Sequence, residues 1–169
     1  MSVHLKTTPV GIDKQIQRMQ QYLYDKIVAN WACEVEAYGR AYVDTVNDSV
    51  KPRVYLESGE YREMLTDDGI KGVHFFFIEK NAEVLSHTCM STNDVDLIFI
   101  VDDLTKVKAS ITHYADEEIK EDVKKWVKQF WLMESVVKGE DALDGFDTSK
   151  IHFVYPYHVF KISGTIINY

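Results

Sequence analysis

The densest group of side chains able to do chemistry is acidic. Asp94 and Asp96 stand two residues apart just before the apolar run Leu97-Ile98-Phe99-Ile100-Val101, and Asp102 and Asp103 follow it. Side chains two apart on a strand share a face, and carboxylate groupings of this kind hold hard cations such as Mg²⁺. One reading is therefore a metal-dependent nuclease. The competing reading is that acids at the ends of an apolar strand discourage aggregation. The Asp-plus-Glu-x-Lys pattern of such nucleases is broken here. Asp68 precedes the run 73–78, but that run closes on Glu79-Lys80 without a spacer. Adjacent residues on a strand point to opposite faces and could not share a site. No metal site is expected.

The other chemical groupings are weaker. Among six histidines, His87-x-Cys89 and the pair His152 and His158 stand nearest to any ligand partner, and a zinc deaminase would need a Glu two after its His and a Pro-Cys-x-x-Cys. Neither exists in the chain. There is no glycine-rich dinucleotide fingerprint, phosphate loop or nucleophile elbow. No enzyme activity and no cofactor are expected. The aromatic residues, ten Tyr, eight Phe and three Trp, cluster at Tyr22, Tyr24, Trp31, Tyr38 and Tyr42, and again at Tyr155, Tyr157, Phe160 and Tyr169. Base stacking needs flanking cations, and the neighbours here are mostly neutral or acidic. Core packing or a protein interface is the expected use.

The chain has 169 residues, of which 19 are Lys or Arg and 27 Asp or Glu, for a net charge of −8. That size suits one domain, and 46% hydrophobic residues with only three prolines exclude a disordered or collagen-like chain. The acidic balance argues against a nucleic-acid binder, whose affinity comes from Lys and Arg at phosphates. Cys33 and Cys89 make no disulfide framework and read as reduced thiols. The longest apolar runs, 75–78 and 97–101, fall far short of the roughly 20 residues that span a bilayer. Residence in the cytosol when made and no membrane partner are expected.

The elements that must position these residues follow from periodicity. Ile12, Ile16, Met19, Leu23, Ile27 and Trp31 recur at helical spacing and predict an amphipathic helix over 12–31. Residues 38–46 and 53–56, around Asn47-Asp48-Ser49 and Pro52, predict a hairpin. Residues 57–72 read as a long polar loop with a helical turn at 61–65. The runs 73–78 and 96–101 are apolar on both faces and predict the centre of a sheet. Ile119, Val123, Trp126, Phe130, Met133 and Val137 predict a second long helix over 116–137, with acids in its first turn and lysines later. A polar connector, 140–150, leads to a closing strand over 158–169. Residues 1–169 thus read as one α+β domain. Its sheet is expected to be mainly antiparallel, with the N-terminal helix and the second long helix packed on one face. Residues 1–10 are expected to form an extended arm.

This order, an amphipathic helix, a β-meander, a strand ending in acids (95–103), a second helix and a long closing strand, resembles the tail-terminator and tail-completion proteins of tailed bacteriophages. The polar connector at 140–150 departs from that pattern. The resemblance implies a small α+β subunit of a homo-oligomer, a six-fold ring at the head-proximal end of a tail or neck. Neighbours would be head-tail connector or tail tube proteins, and DNA would pass through without specific binding. It also implies a place in the virion, with assembly in the host cytoplasm. The loop at 57–72 corresponds to the segment such proteins extend toward a neighbour or the channel. Tyr61, Met64 and Leu65 would then form the apolar face that docks on an adjacent subunit, and Glu57, Glu60, Asp67 and Asp68 the channel-facing acids. An acidic lumen repels phosphate, although acidic charge also serves solubility. Two other readings stay open: a small acidic interaction or inhibitor protein masking a basic partner, and the metal-dependent enzyme using Asp94, Asp96, Asp102 or Asp103.

Overall fold

The computed structural model describes residues 2–66, 72–80, 83–85, 90–107 and 115–168. In chain order they form β1 (Ser2–Val3), α1 (Ile12–Asn30), β2 (Val35–Arg40), β3 (Tyr42–Val46), β4 (Ser49–Tyr55) and β5 (Tyr61–Glu63). Then come β6 (Val73–Glu79), β7 (Val84–Leu85), β8 (Ser91–Val101), α2 (Leu104–Val107) and α3 (Asp116–Val127). The chain closes with β9 (Leu132–Lys138), a 3-10 turn at Gly139–Leu143, and β10 (His158–Asn168). The strands make a large sheet in the order β1-β2-β6-β8-β10-β9, with β7 beside the start of β8, and a small sheet in the order β3-β4-β5.

The fold is α+β, and the expectation of a mainly antiparallel sheet holds in part. β6, β8, β10 and β9 pair antiparallel, as does β7 with β8. β1 and β6 both lie parallel to β2. A parallel neighbour requires a crossover; α1 provides it from β1 to β2, and the small sheet provides it from β2 to β6. A two-residue β1 leaves no periodic signal in a sequence.

Both faces of β6 and β8 are covered, which is why their sequences do not alternate. On one face Phe75, Phe77, Leu97, Phe99, Phe160 and Ile162 pack against Ile16, Met19, Leu23 and Ile27 of α1 and Ile119, Val123 and Trp126 of α3. On the other, Tyr38, Phe76, Ile98, Ile100 and Val159 meet Val54, Met64 and Leu65 from the small sheet and its exit, with Ala142 and Leu143. The N-terminal segment is pinned by Gln20, buried on α1, whose amide donates to His4 O at 2.9 Å and Ala37 O at 3.0 Å.

Two expected elements are corrected. In place of the helical turn expected at 61–65, Tyr61–Glu63 is a strand paired with β4 at Tyr55↔Tyr61 and Arg53↔Glu63. The loop before it therefore shrinks to a tight reversal in which Leu56 N–H donates to Glu60 O at 2.9 Å. The second helix stops at Val127, and Leu132–Lys138 is an edge strand on β10. The bulge at Glu134 puts Met133 and Val136 on the helix-side face, and Val136-Val137 favours the strand. Trp131, off the helical stripe, is buried at 3% exposure, while Phe130 is only half-buried, edge-on to Tyr22.

Trp131 reaches the core across Gly164, where the β9–β10 register shifts. A Cβ at Gly164 would lie 2.6 Å from Leu132 O and would overlap the Trp131 indole. Gly164→Ala is therefore expected to destabilise the fold by about 1–3 kcal/mol through overpacking. A denaturant titration showing an unchanged midpoint would refute this packing.

Candidate functional site

The outer face of the small sheet is built by three strands and a two-residue turn. Asn47 and Asp48 both take positive φ, 50° and 63°, the geometry of a type I′ hairpin, and Val46 faces Ser49 directly across it. That register places Tyr42 beside Arg53 and Arg53 beside Glu63, with Tyr55 beside Tyr61. Paired residues share a face, so three tyrosines from three strands converge. Tyr61 stands edge-on to Tyr42 with centroids 5.4 Å apart and to Tyr55 at 5.8 Å. Tyr42 and Tyr61 are each 41% exposed.

A charge network fixes this face to the large sheet. Arg40 donates to Asp13 Oδ1 at 2.8 Å and to Glu79 Oε2 at 3.0 Å, and Glu79 in turn accepts from Asn93 at 2.9 Å. Lys6 Nζ donates to Asp13 Oδ2 at 3.0 Å and to the Tyr42 hydroxyl at 3.3 Å. Both cations lie 5.2 Å from the Tyr42 ring centroid, a cation–π distance. Tyr42 is thereby held in place within the chain itself.

Of the expected interface residues, Tyr61 belongs to this face. Met64 and Leu65 do not form an exposed apolar face with it, since each is 3% exposed and packed in this chain's own second core. Glu57 and Glu60 are exposed on the reversal between β4 and β5, where Ser58 and Gly59 take positive φ. Asp67 and Asp68 lie outside the described residues. Tyr42 and Tyr55 enter the site only through strand pairing, which the sequence signals no further than the Asn47-Asp48 turn.

The acids tested for metal chemistry are dispersed. Asp94 and Asp96 share a face as their spacing predicts. Asp96, 3% exposed, is held by Lys80 at 3.2 Å and Lys161 at 4.0 Å, while Asp94 accepts from the Thr165 hydroxyl at 2.8 Å. Glu79 and Lys80 do point to opposite faces, toward Arg40 and Asp96 respectively. Asp102 and Asp103 end the strand about 20 Å farther on, at roughly 3.3 Å per residue. Asp103 caps the turn at Thr105, accepting its N–H at 3.0 Å, and Asp102 lies 3.4 Å from His74. Among the described residues no group of three or more His, Cys, Asp or Glu could hold a metal ion. His87 and Cys89 lie outside the described residues; His152 is exposed, and His158 is half-buried near Phe160.

An open cleft on the β2 side is lined by His4, Cys33, Glu36, Tyr38, Arg62 and Lys106. His4 and Glu36 are paired there at 2.8 Å. Burial pushes the Cys33 thiol up to about 11, so it stays protonated at neutral pH and is a poor nucleophile.

Burial alone would raise the Asp13 carboxyl, but hydrogen bonds from Arg40 and Lys6 outweigh it and hold the group below its ordinary value. A carboxyl depressed in the folded state stabilises above its unfolded pKa near 4, and that contribution is lost as pH falls through the folded value. Asp13→Asn is thus expected to lower the melting temperature at pH 7 by about 2–8 °C, roughly 1–2 kcal/mol. The gap to wild type should narrow below about pH 4. Thermal melts across pH 2–7 check this; a gap that persists at acid pH contradicts it.

Comparison of the chain with known proteins finds no matching family model, no similar curated protein and no similar solved structure.

Proposed function

We propose that this chain is a virion structural protein that assembles as a ring at the tail or neck of a tailed bacteriophage. The ring would join head-proximal and tail components around the DNA channel. The observation that carries the reading is the tyrosine face of the small sheet. Tyrosine is enriched among the residues that dominate binding energy at protein interfaces, and here three of them sit together on a surface that the chain's own core does not consume. Because Arg40, Lys6 and Asp13 already fix Tyr42, little side-chain entropy is lost when a partner covers it.

Two further features support the reading. The sequence resembles tail-terminator and tail-completion proteins in its N-terminal amphipathic helix, its strand ending in acids and its long closing strand. The charge of −8 suits a lumen through which DNA slides without adhering, and in a ring Glu57 and Glu60 would line it at the margin of the subunit contact.

Size-exclusion chromatography with light scattering tests the reading. Wild type is expected to elute as a closed oligomer. Tyr42→Ala with Tyr61→Ala should leave the circular dichroism spectrum unchanged and weaken the subunit contact by about 30-fold or more. A double variant that assembles like wild type would remove the tyrosine face from the contact.

A further inference from the structure

The geometry points to a metal site at one end of the large sheet, where His74, Asp102 and Tyr157 converge on a position suited to a divalent transition-metal ion such as Zn²⁺. This site is independent of the ring-forming reading above.

Register brings the three residues together. Asp102 directly follows β8, and its N–H donates to Gly72 O at 3.0 Å, which carries the β6–β8 ladder one step past Val73↔Val101. Tyr157 directly precedes β10, one step past His158↔Val101, so the continued register sets it across from Asp102. His74 is the diagonal neighbour of Asp102, on the face that carries Phe76, Ile98 and Ile100, and diagonal neighbours on one face are within reach of each other. The approach to Tyr157 is tied down: its N–H donates to Val154 O at 2.9 Å, Pro156 O accepts from Leu104 N–H at 2.9 Å, and the Phe153 ring stands edge-on to its own.

The donors have the chemistry of a cation site. His74 is 8% exposed, and its Nδ1, Asp102 Oδ2 and the Tyr157 hydroxyl are all buried without a hydrogen-bond partner, a state that folded chains rarely leave uncompensated. Nδ1 and Oδ2 are 3.4 Å apart, beyond the ordinary length of a hydrogen bond. Two ligands of a tetrahedral zinc ion, each about 2.1 Å from the metal, stand about 3.4 Å from one another. Among the described residues no Lys or Arg pairs with Asp102, so a bound cation would supply the opposite charge that a buried carboxylate requires. Burial, and then the Asp102 charge, push the Tyr157 ionisation up, so the carboxylate lies close enough to act on the phenol. Groups of three His, Cys, Asp or Glu are absent among the described residues; here the phenol is the third donor. The Asp102 side chain is 22% exposed, which gives an ion a way in and leaves a fourth position to water.

Equilibrium dialysis of the full chain against Zn²⁺ alone tests the assignment, with Co²⁺ as a spectroscopic stand-in. Wild type should take up one Zn²⁺ per chain, and Co²⁺ should give the intense visible bands of a four-coordinate ion. His74→Gln and Asp102→Asn, which nearly keep the shape of each side chain, should abolish uptake, and Tyr157→Phe should weaken it by about 10-fold or more; circular dichroism verifies folding. His4→Gln and His152→Gln should bind like wild type. On the wild-type chain, which needs no variant to fold, Zn²⁺ should shift the His74 ring resonances in the NMR spectrum ahead of those of the other histidines. Wild type that takes up no Zn²⁺ at millimolar concentration, or uptake that survives His74→Gln, overturns the site. A His74 ring that responds to pH and not to Zn²⁺ also overturns it, because the occupant is then a proton and His74 and Asp102 form an ordinary ion pair.

Discussion

Burial of both faces of β6 and β8 is the constraint from which the other layers follow. Phe75 stacks on Phe99 with centroids 5.8 Å apart, and Phe99 on Phe160 at 5.0 Å, which ties three neighbouring strands together on the helix side. Covering that side takes the apolar stripes of α1 and α3. Covering the other takes the small sheet and the 139–157 segment, because Phe76, Ile98 and Ile100 are as apolar as the residues behind them. Burial of one large apolar side chain stabilises by about 1.5–3 kcal/mol, so neither face could be left open along its whole length.

The small sheet is consequently a cover with two sides. Its inner side is spent on the core through Val54, and the segment leaving β5 adds Met64 and Leu65. Its outer side packs on no core among the described residues, and there the chain places three tyrosines, of which Tyr42 is stiffened by cations reaching over from β2 and the N-terminal segment. The Asp13–Arg40–Glu79 network joins α1, β2 and β6 and so passes the rigidity of the large sheet to Tyr42. The structural role of the face and its proposed role in assembly are thus two uses of one arrangement.

How much of this the residues disclose depends on the range of the signal. α1 is legible because Ile16, Met19, Leu23 and Ile27 obey one period within one element, and the central strands are legible because a strand covered on both faces is a continuous apolar run. The same logic misleads after Val127, where helical spacing continues by coincidence through Met133 and Val137 although the chain has become an edge strand; burial of Trp131 over Gly164 decides the matter and is a long-range contact. Tyr61 stands out in a polar segment. Its neighbours Tyr42 and Tyr55 do not, since their convergence depends on strand pairing across a reversal that resembles an ordinary loop.

The central claim, that the tyrosine face is covered by another copy, is read most directly by amide hydrogen exchange on the wild-type chain as its concentration is raised. The account predicts slower exchange in Tyr42–Val46 and Tyr61–Glu63, the two edges of the small sheet, with α1 and α3 unchanged. Exchange in those strands that stays constant while the mass of the particle grows, or at every concentration, would contradict it.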